Sequence, residues 1–169
     1  LGNLQYNNLN YDDALTTYVR ALSSGFTDKE LYRRTAKIYV EKGLMDDAKD
    51  VFRQALGHYP DELSFWYKLS RIDSTCLDDE LKEILNKSLQ SRIDDEQKFS
   101  QQFLLAAFAK KEKQFESELT HLVHAHSIYE KIGSFSREKE YFLNHIPTHA
   151  QHDFFPKEES SQAISDVSP

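Results

Sequence analysis

The run Tyr32-Arg33-Arg34-Thr35-Ala36-Lys37-Ile38-Tyr39-Val40-Glu41-Lys42-Gly43-Leu44-Met45-Asp46-Asp47-Ala48-Lys49-Asp50-Val51-Phe52-Arg53-Gln54-Ala55-Leu56, followed by Pro60, decides the fold, because the chain repeats it. Thirty-four residues earlier, Leu1-Gly2, Tyr11, Ala14, Tyr18 and Ala21-Leu22 stand where Thr35-Ala36, Met45, Ala48, Phe52 and Ala55-Leu56 stand here, and Phe26 stands for Pro60. Thirty-four residues later, Trp66, Leu69 and Ser70 answer Tyr32, Thr35 and Ala36. A fixed period of this size marks stacked supersecondary units. Small residues at Ala14, Ala21, Ala48 and Ala55 let two helices approach, and Tyr18 and Phe52 fill the remaining space. Pro60 cannot continue the helix before it. Thr27-Asp28-Lys29-Glu30 reads as a capping box that opens a helix. Gly43 supplies the reversal between the two helices of its unit, where positive φ is favoured.

Further along, the pattern loosens. The second helix of the third unit, near 77–89, keeps an apolar face of Leu77, Leu81, Ile84, Leu85 and Leu89 but loses the small residues. A fourth unit follows with a two-residue offset: Ala36, Met45, Phe52 and Ala55 reappear 70 residues on as Ala106, Phe115, Leu122 and Ala125. Glu118 takes the place of Ala48, so that contact must splay or let the carboxylate reach solvent. A last helix over 136–146, ended by Pro147, carries Tyr141, Phe142 and Ile146 to cover the end of the stack. From Thr148 the chain is polar and acidic, with only Phe154-Phe155 as a candidate anchor, and reads as a linker or tail. The predicted organisation is a helical domain over 1–146, with repeats at about 1–26, 27–60, 61–92 and 95–131 and the capping helix at 136–146, and a tail over 147–169.

The aromatic, Leu/Gly-type, aromatic, Ala, aromatic, Ala and Pro spacing over residues 1–72 resembles the tetratricopeptide repeat (TPR). That resemblance implies an all-α, right-handed α-solenoid of antiparallel helix pairs, in which the first helix of each pair lines a concave face. Residues 103–130, containing Phe115-Glu116-Ser117-Glu118-Leu119-Thr120-His121-Leu122, with the helix at 136–146 and the tail after it, are similar to the repeat region that precedes the catalytic domain in bacterial TPR-sulfotransferase proteins. The implication is an interaction region of a larger enzyme. Opening on Leu1-Gly2-Asn3-Leu4 without Met, the chain also reads as a piece of a longer protein.

The formal charge of −7 argues against wrapping nucleic acid, whose phosphates demand a basic surface. The excess is local: residues 1–75 hold 10 Lys/Arg against 11 Asp/Glu, whereas 76–169 hold 11 against 17. No apolar run approaches the ~20 residues that cross a bilayer. The single Cys76 can form no internal disulfide, which fits a reducing cytoplasm.

Catalysis and cofactors find no support. His121, His124 and His126 share one predicted helix, but zinc needs three or four converging ligands, and no Cys or H-E-x-x-H arrangement completes them. Asp12-Asp13, Asp46-Asp47, Asp78-Asp79 and Asp94-Asp95 fall at helix starts, where negative charge suits the helix dipole. No Gly-rich loop is present to cradle a phosphate.

By the TPR resemblance the concave groove holds Asn3, Tyr6 and Asn7, then Arg33, Arg34 and Lys37 with Glu30 and Glu41, then Tyr67, Lys68 and Arg71 with Ser64. Asn3, Arg34 and Lys68 match positions of the carboxylate clamp of chaperone-binding TPR domains, although Ser64 stands where a Lys is expected and Arg34 where an Asn is. The expected function is a protein- or peptide-binding scaffold, monomeric or weakly dimeric, that favours an acidic or carboxylate-bearing partner and has no catalytic site or cofactor of its own. The alternatives are the non-catalytic, substrate-presenting region of a sulfotransferase and a self-association scaffold. The tail acids Asp153 and Glu158-Glu159 are a candidate occupant of the groove.

Overall fold

The computed structural model describes residues 11–132, which are all-α. The described helices are α1 (Tyr11–Ser23), α2 (Lys29–Glu41), α3 (Met45–His58), α4 (Leu63–Ile72), α5 (Asp79–Leu89), α6 (Asp95–Lys111) and α7 (Phe115–Ile132), with a 3-10 turn at Ser74–Cys76. The expected helix before Tyr11, the capping helix at 136–146 and the tail lie outside the described residues.

Helix starts follow the acids. Asp28 caps α2 by accepting from Leu31 N at 3.0 Å, Asp78 caps α5 by accepting from Leu81 N at 3.0 Å, and Asp94 caps α6 by accepting from Gln97 N at 2.8 Å. Asp12-Asp13 and Asp46-Asp47 occupy the first turns of α1 and α3. The capping box expected at Thr27 is shifted by one residue. Asp28 takes the N-cap, and Glu30 turns away from the backbone to bind two arginines.

Much of the repeat pattern forms the core, although Met45 and Phe115, at one repeat position, are exposed and Ala21 is half-buried. Ala14, Ala36, Ala48 and Ala55 are fully enclosed, and Tyr18 and Phe52 are buried beside them. One cluster joins Leu22, Tyr32, Ala36, Val51, Phe52, Ala55, Leu56, Phe65, Leu69 and Cys76, and thereby links α1 through α4. A second is built on Leu63, Leu77, Leu81, Leu85 and Leu104 and carries the packing on through α6. Neighbours in sequence pack on one another from α1 to α4, α4 packs on α6, and α6 packs on α7. Phe26, 65% exposed, is not a filler, and neither is Leu89 at the end of α5.

The third unit departs from the second because of a side chain. α4 ends at Ile72, and Asp73 then accepts from Thr75 N at 3.0 Å and from Thr75 Oγ1 at 2.5 Å, which winds a 3-10 turn where α2 continues as helix. Arg53 donates to the other Asp73 oxygen at 3.0 Å, pinning that turn to α3. The Thr75 hydrogen bonds hold the Asp73 carboxyl below the usual carboxylate range.

Three helix ends use one reversal; after α1, Gly25 takes φ +88°, Gly25 N donates to Leu22 O at 3.0 Å and Phe26 N to Ala21 O at 3.2 Å. After α2, Gly43 takes φ +75°, Gly43 N donates to Val40 O at 3.0 Å and Leu44 N to Tyr39 O at 2.9 Å. Seventy residues on, Lys113 takes φ 60°, Lys113 N donates to Lys110 O at 3.0 Å and Gln114 N to Ala109 O at 2.8 Å. A lysine in the left-handed region costs about 1–2 kcal/mol that glycine does not. Lys113→Gly is therefore expected to stabilise the unit by about 0.5–1 kcal/mol after the glycine's larger unfolded-state entropy is deducted. Urea unfolding followed by helical circular dichroism measures this, and a lower midpoint would contradict it.

Glu118, at the Ala48 position, is half-buried, while Ala125 in the same helix is fully enclosed. The other face of α7 presents Phe115, Leu119 and Val123 to solvent at four-residue spacing, where the same register of α3 carries Met45, Lys49 and Arg53.

Candidate functional site

The first turns of α2, α4 and α6 meet at one carboxylate. Glu62 precedes α4 as its N-cap residue, yet its side chain makes no cap bond. It is 6% exposed and accepts from three donors instead: Lys29 Nζ of α2 at 2.5 Å, Ser64 Oγ at 2.7 Å and Gln97 Nε2 of α6 at 2.6 Å. Gln97 Oε1 in turn accepts from Leu63 N at 2.9 Å, so a glutamine from α6 satisfies an orphan amide of α4. Tyr59 OH also donates to Thr27 O, which fastens the loop before α2. A buried charge survives only when hydrogen-bonded and paired, and each Glu62 oxygen is.

Of the cations predicted for the groove, Arg33 reaches the start of α6, next to Gln97 of this node. On α2, Glu30 accepts from Arg33 Nη1 at 3.3 Å and from Arg34 Nε at 2.7 Å, the i,i+3 and i,i+4 spacings of one helix face. Arg34 is half-buried; the hydrogen bond to Glu30 raises its pKa, burial opposes that, and a hydrogen bond with Tyr18 adds to the rise. Arg34 is thus committed to packing α2 on α1. Arg33 reaches further: its Nη2 lies 3.4 Å from Glu96 Oε1, at the start of α6. Arg33 Nε is closed off from solvent and makes no hydrogen bond among the described residues. Lys37 is exposed, with Nζ 3.8 Å from Glu41 Oε1.

On α4, the Tyr67 ring stacks on Phe103 at 5.0 Å between centroids and meets the edge of Phe99 at 5.8 Å, while Arg71 Cζ lies 5.7 Å from its centroid. Lys68, half-buried, is the next residue along the helix. The structure therefore brings Arg33 to the start of α6 and Tyr67 to its middle. Asn3, Tyr6 and Asn7 lie outside the described residues, so the α2 and α4 members are the ones placed here.

Three members of this surface escaped the sequence reading: Glu96, Phe99 and Phe103 of α6, which share one helical face at i, i+3 and i+7. The 70-residue register could have found Phe103, since it stands there for Arg33 and, 36 residues back, for Tyr67. Glu96 left no such signal, because its role comes from a contact between helices two units apart.

Elsewhere the candidate chemistries have local partners. His121 Nδ1 lies 2.8 Å from Gln102 Oε1, and burial, aided by His124, lowers its pKa. His126 Nε2 lies 3.2 Å from Glu130 Oε1. Among the described residues no three His, Cys, Asp or Glu side chains are grouped so as to hold a metal ion, and no helix is long and apolar enough to cross a membrane. Cys76 is buried in the α1–α4 core, which, with Asp73 and Asp78 nearby, pushes its thiol up to about 11 and keeps it protonated at neutral pH. Comparison of the chain with protein-family models, with curated proteins and with solved structures finds no match.

Proposed function

We propose that the chain is a protein- or peptide-binding module, a TPR-like solenoid whose concave face, lined by α2, α4 and α6, takes an acidic segment of a partner. The observation that supports the reading is the part-exposed guanidinium of Arg33, whose outer nitrogens touch the part-exposed carboxylates of Glu30 and Glu96. Lys37, Lys68 and Arg71 add positive charge on the same two helices, α2 and α4. A guanidinium fork recognises a carboxylate through two parallel hydrogen bonds, and surrounding cations hasten the encounter in a way that salt weakens. The reading requires neither catalysis nor a cofactor. The suggestion of a sulfotransferase context rests only on the resemblance of residues 103–130, the expected helix at 136–146 and the tail after it.

The test is the triple variant Arg33→Ala, Lys37→Ala, Lys68→Ala, titrated with a fluorescein-labelled oligoglutamate peptide. Its helicity should match the parent, since surface changes shift stability by about 0.5 kcal/mol each. Its affinity should fall about tenfold at low salt, three surface ion pairs of about 0.5 kcal/mol each being worth about 1.5 kcal/mol together. Unchanged affinity and salt dependence would show the face to be merely solvated.

A further inference from the structure

We propose that Glu62 is a positioning residue for the concave face: its carboxylate holds α2 and α6 at fixed positions relative to α4, so that the cations of α2 and α4 meet one acidic segment together. The inference rests on the acidic-peptide reading above and adds to it the residue that shapes the site.

The N-cap positions carry the argument. Asp28, Asp78 and Asp94 each accept from a backbone amide three residues on, and so cap their own helices. Glu62 stands 34 residues after Asp28, also in extended backbone, and its side chain makes no such bond. One methylene longer than an aspartate, it bonds instead to Lys29 Nζ of α2 at 2.5 Å and to Gln97 Nε2 of α6 at 2.6 Å. The cap that α4 forgoes is replaced in part from outside, because Gln97 Oε1 accepts from Leu63 N at 2.9 Å. A carboxylate that caps elsewhere in this chain is here used between helices, and it is buried where it does so.

Each arm of this contact leads to the proposed binding face. Lys29 begins α2, and Arg33 and Lys37 follow it at four-residue spacing. Gln97 lies in the first turn of α6 beside Glu96, which meets Arg33 Nη2 at 3.4 Å. Lys68 and Arg71 lie further along the helix that Glu62 opens. A shift of α2 against α4 therefore moves Arg33 and Lys37 against Lys68 and Arg71. A surface held at one spacing binds without the ordering cost that a loose one must meet.

Glu62→Asp is the discriminating variant. An aspartate there can accept from Phe65 N as Asp28 does from Leu31 N, while its carboxylate falls about 1.5 Å short of Lys29 and Gln97. Nitroxide labels at Glu41→Cys of α2 and Lys110→Cys of α6, both exposed sites, report the spacing by pulsed electron–electron resonance, and Cys76 is buried away from the label. Helicity should match the parent, the distance distribution should broaden, and the oligoglutamate peptide should bind about two- to tenfold more weakly. Lys29→Ala, which leaves the core of α4 untouched, should broaden the distribution as well. With Arg33→Ala and Lys37→Ala in place the peptide holds to α4 alone, and Glu62→Asp should then make no further difference. An unchanged distribution in both variants, equal affinity of parent and Glu62→Asp, or the same loss in both backgrounds overturns the proposal. Failure of the parent to bind oligoglutamate overturns the acidic-peptide reading, and the distance distribution then still decides whether Glu62 sets the spacing.

Discussion

Phe65→Ala is expected to lower the stability of the helical unit by about 3–5 kcal/mol, the range for deleting a buried phenylalanine ring. Phe65 is fully enclosed, with Phe52 of α3 at 6.2 Å and Tyr59 at 6.4 Å between ring centroids, and it joins a cluster that draws on α1 through α4. Domains of this kind hold only about 5–15 kcal/mol in all, so the variant should sit near its unfolding transition at physiological temperature. Urea denaturation followed by circular dichroism is the measurement. Phe115→Ala is the control: Phe115 is 70% exposed, and its loss should register within about 0.5 kcal/mol. A cost below 1 kcal/mol for Phe65→Ala would mean that the α3–α4 contact is not the seam of the core.

Glu62→Ala should cost about 2–4 kcal/mol, with a mechanism of a different kind. The lost volume is modest, but the Gln97 amide and the Ser64 hydroxyl lose their common acceptor in a place water does not reach freely. Lys29, 47% exposed, can turn to solvent and adds less to the loss. Lys29→Ala alone should therefore cost under about 1.5 kcal/mol, and Glu62→Ala should be far worse than Lys29→Ala. Thermal unfolding of the two single variants and the double variant separates the terms. Equal, small losses would mean that Glu62 is effectively solvated.

What could be read in advance follows the range of the interactions. Ala48, Ala55 and Phe52 were assigned to the helix contact by spacing alone, and all three are buried there. Asp78 and Asp94 were placed at helix starts, and both are N-caps. These are local or periodic features, repeated in the chain. The 3-10 turn after α4 was missed because one side chain, Asp73, outcompetes the helix, and a period says nothing about such a substitution. In the candidate site, Arg33, Arg34 and Lys37 were found as a cationic face. The i,i+3 and i,i+4 claims of Glu30 on two of them were already legible in spacing, yet the commitment of Arg34 to Tyr18 was not. Nor was Glu96, whose contact with Arg33 depends on how α2 and α6 are brought together around α4.

The carboxylate shared by Lys29, Ser64 and Gln97 bears on how the helices come apart. In a purely nearest-neighbour array each unit can fray at a free energy of its own, and amide exchange slows stepwise from the ends inward. Glu62, in the third unit, is one acceptor shared by side chains of the second and the fourth, so the two neighbour contacts are not independent. Opening α2 breaks the Lys29 bond to the α4 entrance, and opening α6 breaks the Gln97 bond to Glu62 together with the one from Leu63 N to Gln97. The first turns of α2, α4 and α6 should then exchange as one cooperative block with a common opening free energy, while the far ends of the same helices open more easily.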